Sequence, residues 1–180
     1  MVCRRRNKLP VSRNRRRRAE GVRVDNGVPD VVRLGPDDAG EILTLQRAAY
    51  VSEAILHDDL TLPPLVQTLD ELTAELSDPD VTALGIRRDG RLVAAVRLRT
   101  RGDTAELGRL TVVPDLQGNG LGTRLLTAID DHLPEEIDRV ELFTGERSVA
   151  NIGLYRRLGY IETRRERIGD YHLVFMCRRV

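Results

Sequence analysis

One stretch limits the fold more than any other: VVPDLQGNGLGTRLL, residues 112–126. A β-branched pair runs into Pro114, which cannot continue a ladder of strand hydrogen bonds. Gly118, Gly120 and Gly122 follow at alternate positions, and Leu121, Leu125, Ala128, Ile129 and Leu133 then recur at helical spacing. A strand therefore passes through a tight turn into a helix that packs on a sheet. The first N–H groups of that helix lack partners within it. Glycines remove Cβ atoms and permit positive φ, so several N–H groups can converge on one anion with the helix dipole behind them. A pyrophosphate suits that description. A dinucleotide fingerprint would need glycine where Thr123 stands, and a nucleoside-triphosphate loop needs a lysine that this region lacks. Taken alone, the loop is also compatible with a turn that binds nothing.

The folded part is expected to begin near Val28. DVVRL reads as a short strand, and GPDDAGEILTLQRAAY as a helix with Pro36 and two aspartates in its first turn. An irregular segment, VSEAILHDDLTLPP, comes next, and Pro63 and Pro64 open a second helix with Leu65, Leu69, Leu72 and Leu76 on one stripe. VTALGIR and RLVAAVRLR flank an Asp89-Gly90 turn and form a hairpin, and TAELGRLTVV is a third consecutive strand. After the glycine loop and its helix, RVELFT is a strand, SVANIGLYRRLG a helix, and YIETRRERI with YHLVFMCRR a closing hairpin. The order β-α-α-β-β-β-α-β-α-β-β predicts an α/β (α+β) fold, a mixed and mostly antiparallel sheet covered by helices.

Charge divides the chain in two. Residues 1–27 carry ten basic and two acidic side chains, net +8, whereas residues 28–180 carry 19 and 26, net −7. The head has no apolar period and is expected to be a disordered basic tail, with 28–180 the folded domain. The tail could grip nucleic-acid phosphates. It lacks stacking aromatics, however, and the chain uses 28 arginines to one lysine throughout, so a plain solvated tail is the preferred reading. Six aromatic residues leave the core to aliphatic side chains. No apolar run of membrane-spanning length or secretory signal is visible, and Cys3 and Cys177 suggest neither a disulfide framework nor a metal site. A cytoplasmic protein with no membrane contact and no metal is expected.

LTVVPDLQGNGLGTRLL followed by NIGLYRRLGY resembles the GNAT superfamily of acyl-CoA-dependent N-acetyltransferases. The shared signature, Gln or Arg, two residues, Gly, one residue, Gly or Ala, is matched by Gln117, Gly120 and Gly122. Val-x-Pro before it and Leu-Tyr-x-x-x-Gly-Tyr after it strengthen the likeness, which extends over about residues 30–178. The resemblance implies acetyl-CoA as co-substrate. Its pyrophosphate would sit on the turn formed by Gln117, Gly118, Asn119, Gly120, Leu121, Gly122 and Thr123. Its amide-rich pantetheine arm would pair with the backbone of Leu110, Thr111, Val112 and Val113, with a bulge near 110–112 and an N–H near Val112 for the acetyl oxygen.

The resemblance also implies roles in the chemistry, attack of a neutral amine on a thioester. Glu106 is the candidate base. In an extended strand it would share a face with Gly108, Leu110 and Val112, and the alternative is a solvent-exposed charge. Tyr155 is the candidate acid near the sulfur, with an ordinary core tyrosine as alternative. Asn151 is placed to bond the pantetheine or its phosphate, while Ser148, where relatives often carry asparagine, could simply cap the helix. The acceptor is expected over the segment joining the first two helices, where His57, Asp58 and Asp59 could hold a cation or be a solvated loop. A small-molecule amine is favoured over a protein N-terminus or lysine, for a monomer or homodimer. A sensor or scaffold that binds acyl-CoA without turnover is the alternative, since such a domain needs the turn but neither acid nor base.

Overall fold

A computed structural model describes residues 30–180. The basic tail assigned to residues 1–27, and with it the expected start near Val28, lies outside these described residues. The strands are β1 (Val31–Leu34), β2 (Val81–Arg88), β3 (Arg91–Arg101), β4 (Thr104–Val112), β5 (Arg139–Gly145), β6 (Ile161–Ile168) and β7 (Tyr171–Arg179). The helices are α1 (Ala39–His57), α2 (Pro63–Val66), α3 (Leu69–Leu76), α4 (Leu121–Ala128) and α5 (Val149–Arg157). One seven-stranded sheet runs β1-β2-β3-β4-β5-β7-β6. Only β4 and β5 pair parallel; the other neighbours are antiparallel. The mixed α/β sheet flanked by helices is the architecture expected from the sequence.

Strand β3 is buried continuously from Leu92 to Leu98. A strand with one face in water would alternate, so helices cover both of its faces. Edge strand β6 is exposed along its whole length and reads IETRRERI, a charged edge that discourages pairing with another chain.

Two expectations about the helices change. The segment after Tyr50 is not irregular: α1 continues through VSEAILH to His57. No glycine or proline interrupts those residues, and the helix ends only at Asp58, which takes left-handed φ and ψ of 53° and 42° while its N–H caps the carbonyl of Ala54. The predicted second helix is two short ones. Thr68 opens α3 with a reciprocal cap, its N–H donating to Glu71 Oε2 at 2.8 Å and its Oγ1 accepting from the Glu71 N–H at 3.2 Å. Leu72 and Leu76 are buried as expected, but Leu69 is exposed.

A buried polar cluster ties this helical layer to the sheet. Arg97 of β3 donates to Gln46 of α1 and to Glu75 of α3, and Gln46 donates to the carbonyl of Pro64. Burial lowers the Arg97 pKa to about 10 although Glu75 pulls the other way.

Candidate active site

Strands β4 and β5 touch only from Thr104 to Glu106 against Arg139 to Glu141. Beyond Glu106 they separate, and the β5-facing edge of β4 has no strand partner. A bulge helps open this gap. Thr111 pairs with Ala95 and Gly108 with Arg97, so Arg109 and Leu110 together face Val96 alone. Arg109 takes a φ of +55°, rare for a residue with a side chain. The irregularity therefore sits at Arg109–Leu110, at the near edge of the predicted span. It also resets the alternation: by register Glu106 shares a face with Gly108 and Thr111, and no longer with Leu110 and Val112.

A cleft of about 690 Å³ occupies the gap, within the usual range for a small-molecule site. Its lining includes residues 107–112 of β4, most of the 116–123 turn, Asn151 and Tyr155 of α5, and Tyr50, Glu53 and His57 of α1. Gly118 and Gly120 hold φ near +78° and +77°, and a Cβ on either would meet nothing within 4 Å. Backbone conformation, not space, asks for glycine there. Gly122 is already helical, and its bare Cα leaves room beside Leu110, Val112 and Leu154. Gln117 donates from Nε2 to the Val112 carbonyl at 3.2 Å and Asn119 to the Leu116 carbonyl at 3.1 Å, so both side chains brace the turn from within. Val113 is buried and donates its N–H to Val93 on β3, which ties that residue to the sheet.

Tyr155 is buried, and among the described residues its hydroxyl makes no hydrogen bond to protein. Burial pushes its phenol well above the ordinary value, with Tyr50, Tyr160 and Glu53 adding in the same sense. The hydroxyl is thus a held proton. Tyr50 is also raised by burial, while Arg109 opposes the shift.

Glu106, the carboxylate expected in this cleft, is not among its lining residues. It is exposed and pairs with Arg101 at 3.5 Å. It lines a second cavity of about 220 Å³ that includes Arg97, Arg99, Arg109 and Phe143. The carboxylate that does line the cleft is Glu53. It accepts from Ser148 Oγ at 2.5 Å and from Asn151 Nδ2 at 3.1 Å, joining α1 to the start of α5. His57, one turn on, brings Nε2 within 3.6 Å of Glu53 and 3.4 Å of Ser148 Oγ. Its ring packs on Tyr171 with centroids 4.4 Å apart. A Cβ on Gly145 would lie 2.2 Å from His57 Nε2, so the histidine requires glycine at that point of β5. Ser148 makes no side-chain cap on α5; its hydroxyl goes to Glu53 instead. Sequence reading missed Glu53 because the segment holding it was read as irregular. Four-residue spacing in a helix is the signal that would have paired it with His57.

Among the described residues no group of three or more His, Cys, Asp or Glu side chains could hold a metal ion, and no helix is long and apolar enough to cross a membrane. The cleft combines a positive-φ turn at a helix N-terminus, an unpaired strand edge, a held phenolic proton and a hydrogen-bonded carboxylate. It offers backbone donors for an anion at the turn, unpaired backbone groups along β4 and a carboxylate able to take up a proton.

The ribosomal-protein-S18-alanine N-acetyltransferase of Escherichia coli superposes with a TM-score of 0.70 at 19% identity, covering 84% of this chain and 94% of its own. An N-acetyltransferase of Thermoplasma acidophilum in complex with coenzyme A gives 0.67 at 18% identity, covering 82% and 98%. At such identities these likenesses establish the fold. The IAA acetyltransferase of Azospirillum brasilense is 33% identical over 90 residues, 48% of this chain and 59% of that protein. The curated relatives are matched over only 34% and 59% of their own lengths. Residues 48–160, more than half of the chain, match the Acetyltransferase (GNAT) family, and the protein belongs to that family.

Proposed function

We propose that this protein transfers an acetyl group from acetyl-CoA to a primary amine within a ternary complex. The observation that carries the reading is the open edge of β4 leading directly into the positive-φ turn at the start of α4. The turn from Gln117 to Thr123 cradles the pyrophosphate with backbone N–H groups, and residues 110–112 offer the pantetheine arm a strand edge. Bound there, acetyl-CoA supplies a thioester whose carbon takes up the amine nitrogen as the C–S bond breaks. Glu53 accepts the proton that the ammonium must lose, and Tyr155 gives its held proton to the departing sulfur. The nitrogen sheds its second proton as the amide forms, which restores the Tyr155 phenol, and Glu53 returns its proton to solvent. Ser148, Asn151 and His57 orient the Glu53 carboxylate. Glu106 is the competing assignment for the base; its exposure and its pairing with Arg101 favour Glu53.

The test is a thiol-release assay of the full chain with acetyl-CoA and a panel of primary amines. Amine-dependent release of CoA, with the acetylated amine found by mass spectrometry, supports the reading. Tight acetyl-CoA binding without release to any amine would replace it with the sensor alternative.

A further inference from the structure

The cleft is lined by one carboxylate, Glu53, and two guanidiniums, the exposed Arg157 on α5 and the half-buried Arg109 on β4. Glu53 is engaged at both oxygens, by Asn151 and by Ser148 with His57 beside it. Arg109 has no carboxylate within ion-pair distance among the described residues. It is only partly exposed, and it lines both the cleft and the smaller cavity on the Glu106 side. Of the guanidiniums that line the smaller cavity, Arg97 pairs with Glu75 and Arg99 with Asp78, whereas Arg109 has neither, and Glu106 there pairs with Arg101. A half-buried guanidinium in a cleft, with the Tyr50 hydroxyl but no carboxylate beside it, favours an incoming anion strongly, because low local dielectric strengthens the interaction.

That anion is not the phosphate of the co-substrate. Arg109 lies three residues before the end of β4, about 10 Å upstream along the strand from the approach to the glycine turn. The phosphate cradle is at the other end of the open edge. Tyr50 lines the same cleft, and its hydroxyl feels the Glu53 charge and is hydrogen-bonded by Arg109. Phe143, Tyr171 and Leu173 supply apolar wall nearby.

We propose that the acceptor is a zwitterionic amine of the α-amino-acid class, its ammonium held at Glu53 and its carboxylate by Arg109. This rests on the acetyltransferase reading and adds the substrate class to it. A guanidinium offers a planar fork matched to a carboxylate, which an amide or a bare alkylamine cannot use fully. The reaction stays as written: the C–N bond forms at the acceptor amine, the C–S bond breaks, and the carboxylate is unchanged. An aromatic or branched side chain on the acceptor rests against the Phe143, Tyr171 and Leu173 wall.

The experiment is acetyl transfer by the full chain to matched pairs, each α-amino acid against its own amide, with plain alkylamines alongside. The inference expects kcat/KM to favour the acid by at least about tenfold in the best pair, the range of one charge-assisted hydrogen-bonded contact. R109Q brings that ratio towards one by losing activity on the acid, and R109K retains part of it. A wild-type ratio at or below one, or reaction with alkylamines alone, overturns the inference and leaves the acetyltransferase reading standing. Acetyl-CoA that binds but is transferred to no amine overturns both. The wild-type ratio decides the matter without any variant.

Discussion

Strand β4 is two strands end to end. Its first half, Thr104 to Glu106, is paired on both edges, and its one carboxylate sits in an exposed ion pair with Arg101. Its second half, past the bulge at Arg109, is paired to β3 alone and faces Tyr50, Glu53 and Tyr155 across the cleft. One extra residue in the ladder separates a solvated surface from the cleft. A carboxylate becomes chemically useful where strand pairing stops and other elements converge, and here that is the open half.

The largest effect expected from breaking this contrast is at Tyr155. Tyr155→Phe should lower kcat about 100-fold with acetyl-CoA affinity preserved, read by steady-state kinetics beside calorimetry. Sign also matters here. Burial raises the Tyr155 pKa above the ordinary 10, so the acid form persists as pH climbs through that value. The wild-type kcat should therefore show no loss attributable to Tyr155 between pH 7 and 10, and a fall in that window that Tyr155→Phe abolishes would contradict the raised pKa.

Glu53 and Glu106 give the sharpest test of the two halves. Glu53→Gln should reduce kcat by about 10- to 100-fold, while Glu106→Gln should stay within about twofold, since exposed ion pairs contribute little. The reverse ranking would move the base to the closed half. In the cradle, Gly120→Ala forces a Cβ onto a φ of +77°. At about 1–2 kcal/mol, it should weaken acetyl-CoA binding by about 5- to 30-fold. The smallest effect belongs outside the cleft: Thr68→Ala removes one cap of α3 and should cost about 1 kcal/mol in denaturant unfolding, with kinetics unchanged.

Much of this geometry is local enough to be legible in the chain. Pro114, the glycines of residues 118–122 and the Asp89-Gly90 turn announce themselves through backbone requirements that few other residues meet. The hairpins and the α4 stripe follow from alternation and helical period. The acceptor side of the cleft is different. Glu53 meets Ser148 and Asn151 across 95 and 98 residues of chain, and no local pattern encodes that meeting. The VSEAILH segment carries a weak apolar period, with Val51, Ile55 and Leu56 exposed, so its helical state depends on continuing α1 and not on a buried stripe. The bulge was legible only approximately. Nothing in Gly108-Arg109-Leu110 marks the arginine as the residue with positive φ, when a glycine stands beside it.

Joint binding of acetyl-CoA by the cradle and the open edge of β4 underlies each of the outcomes expected in the cleft. Calorimetric titration of the full chain with acetyl-CoA, and separately with adenosine, tests this most directly. Micromolar binding of acetyl-CoA, weakened in Gly120→Ala and absent for adenosine, is the predicted result. A folded protein that binds neither would contradict it.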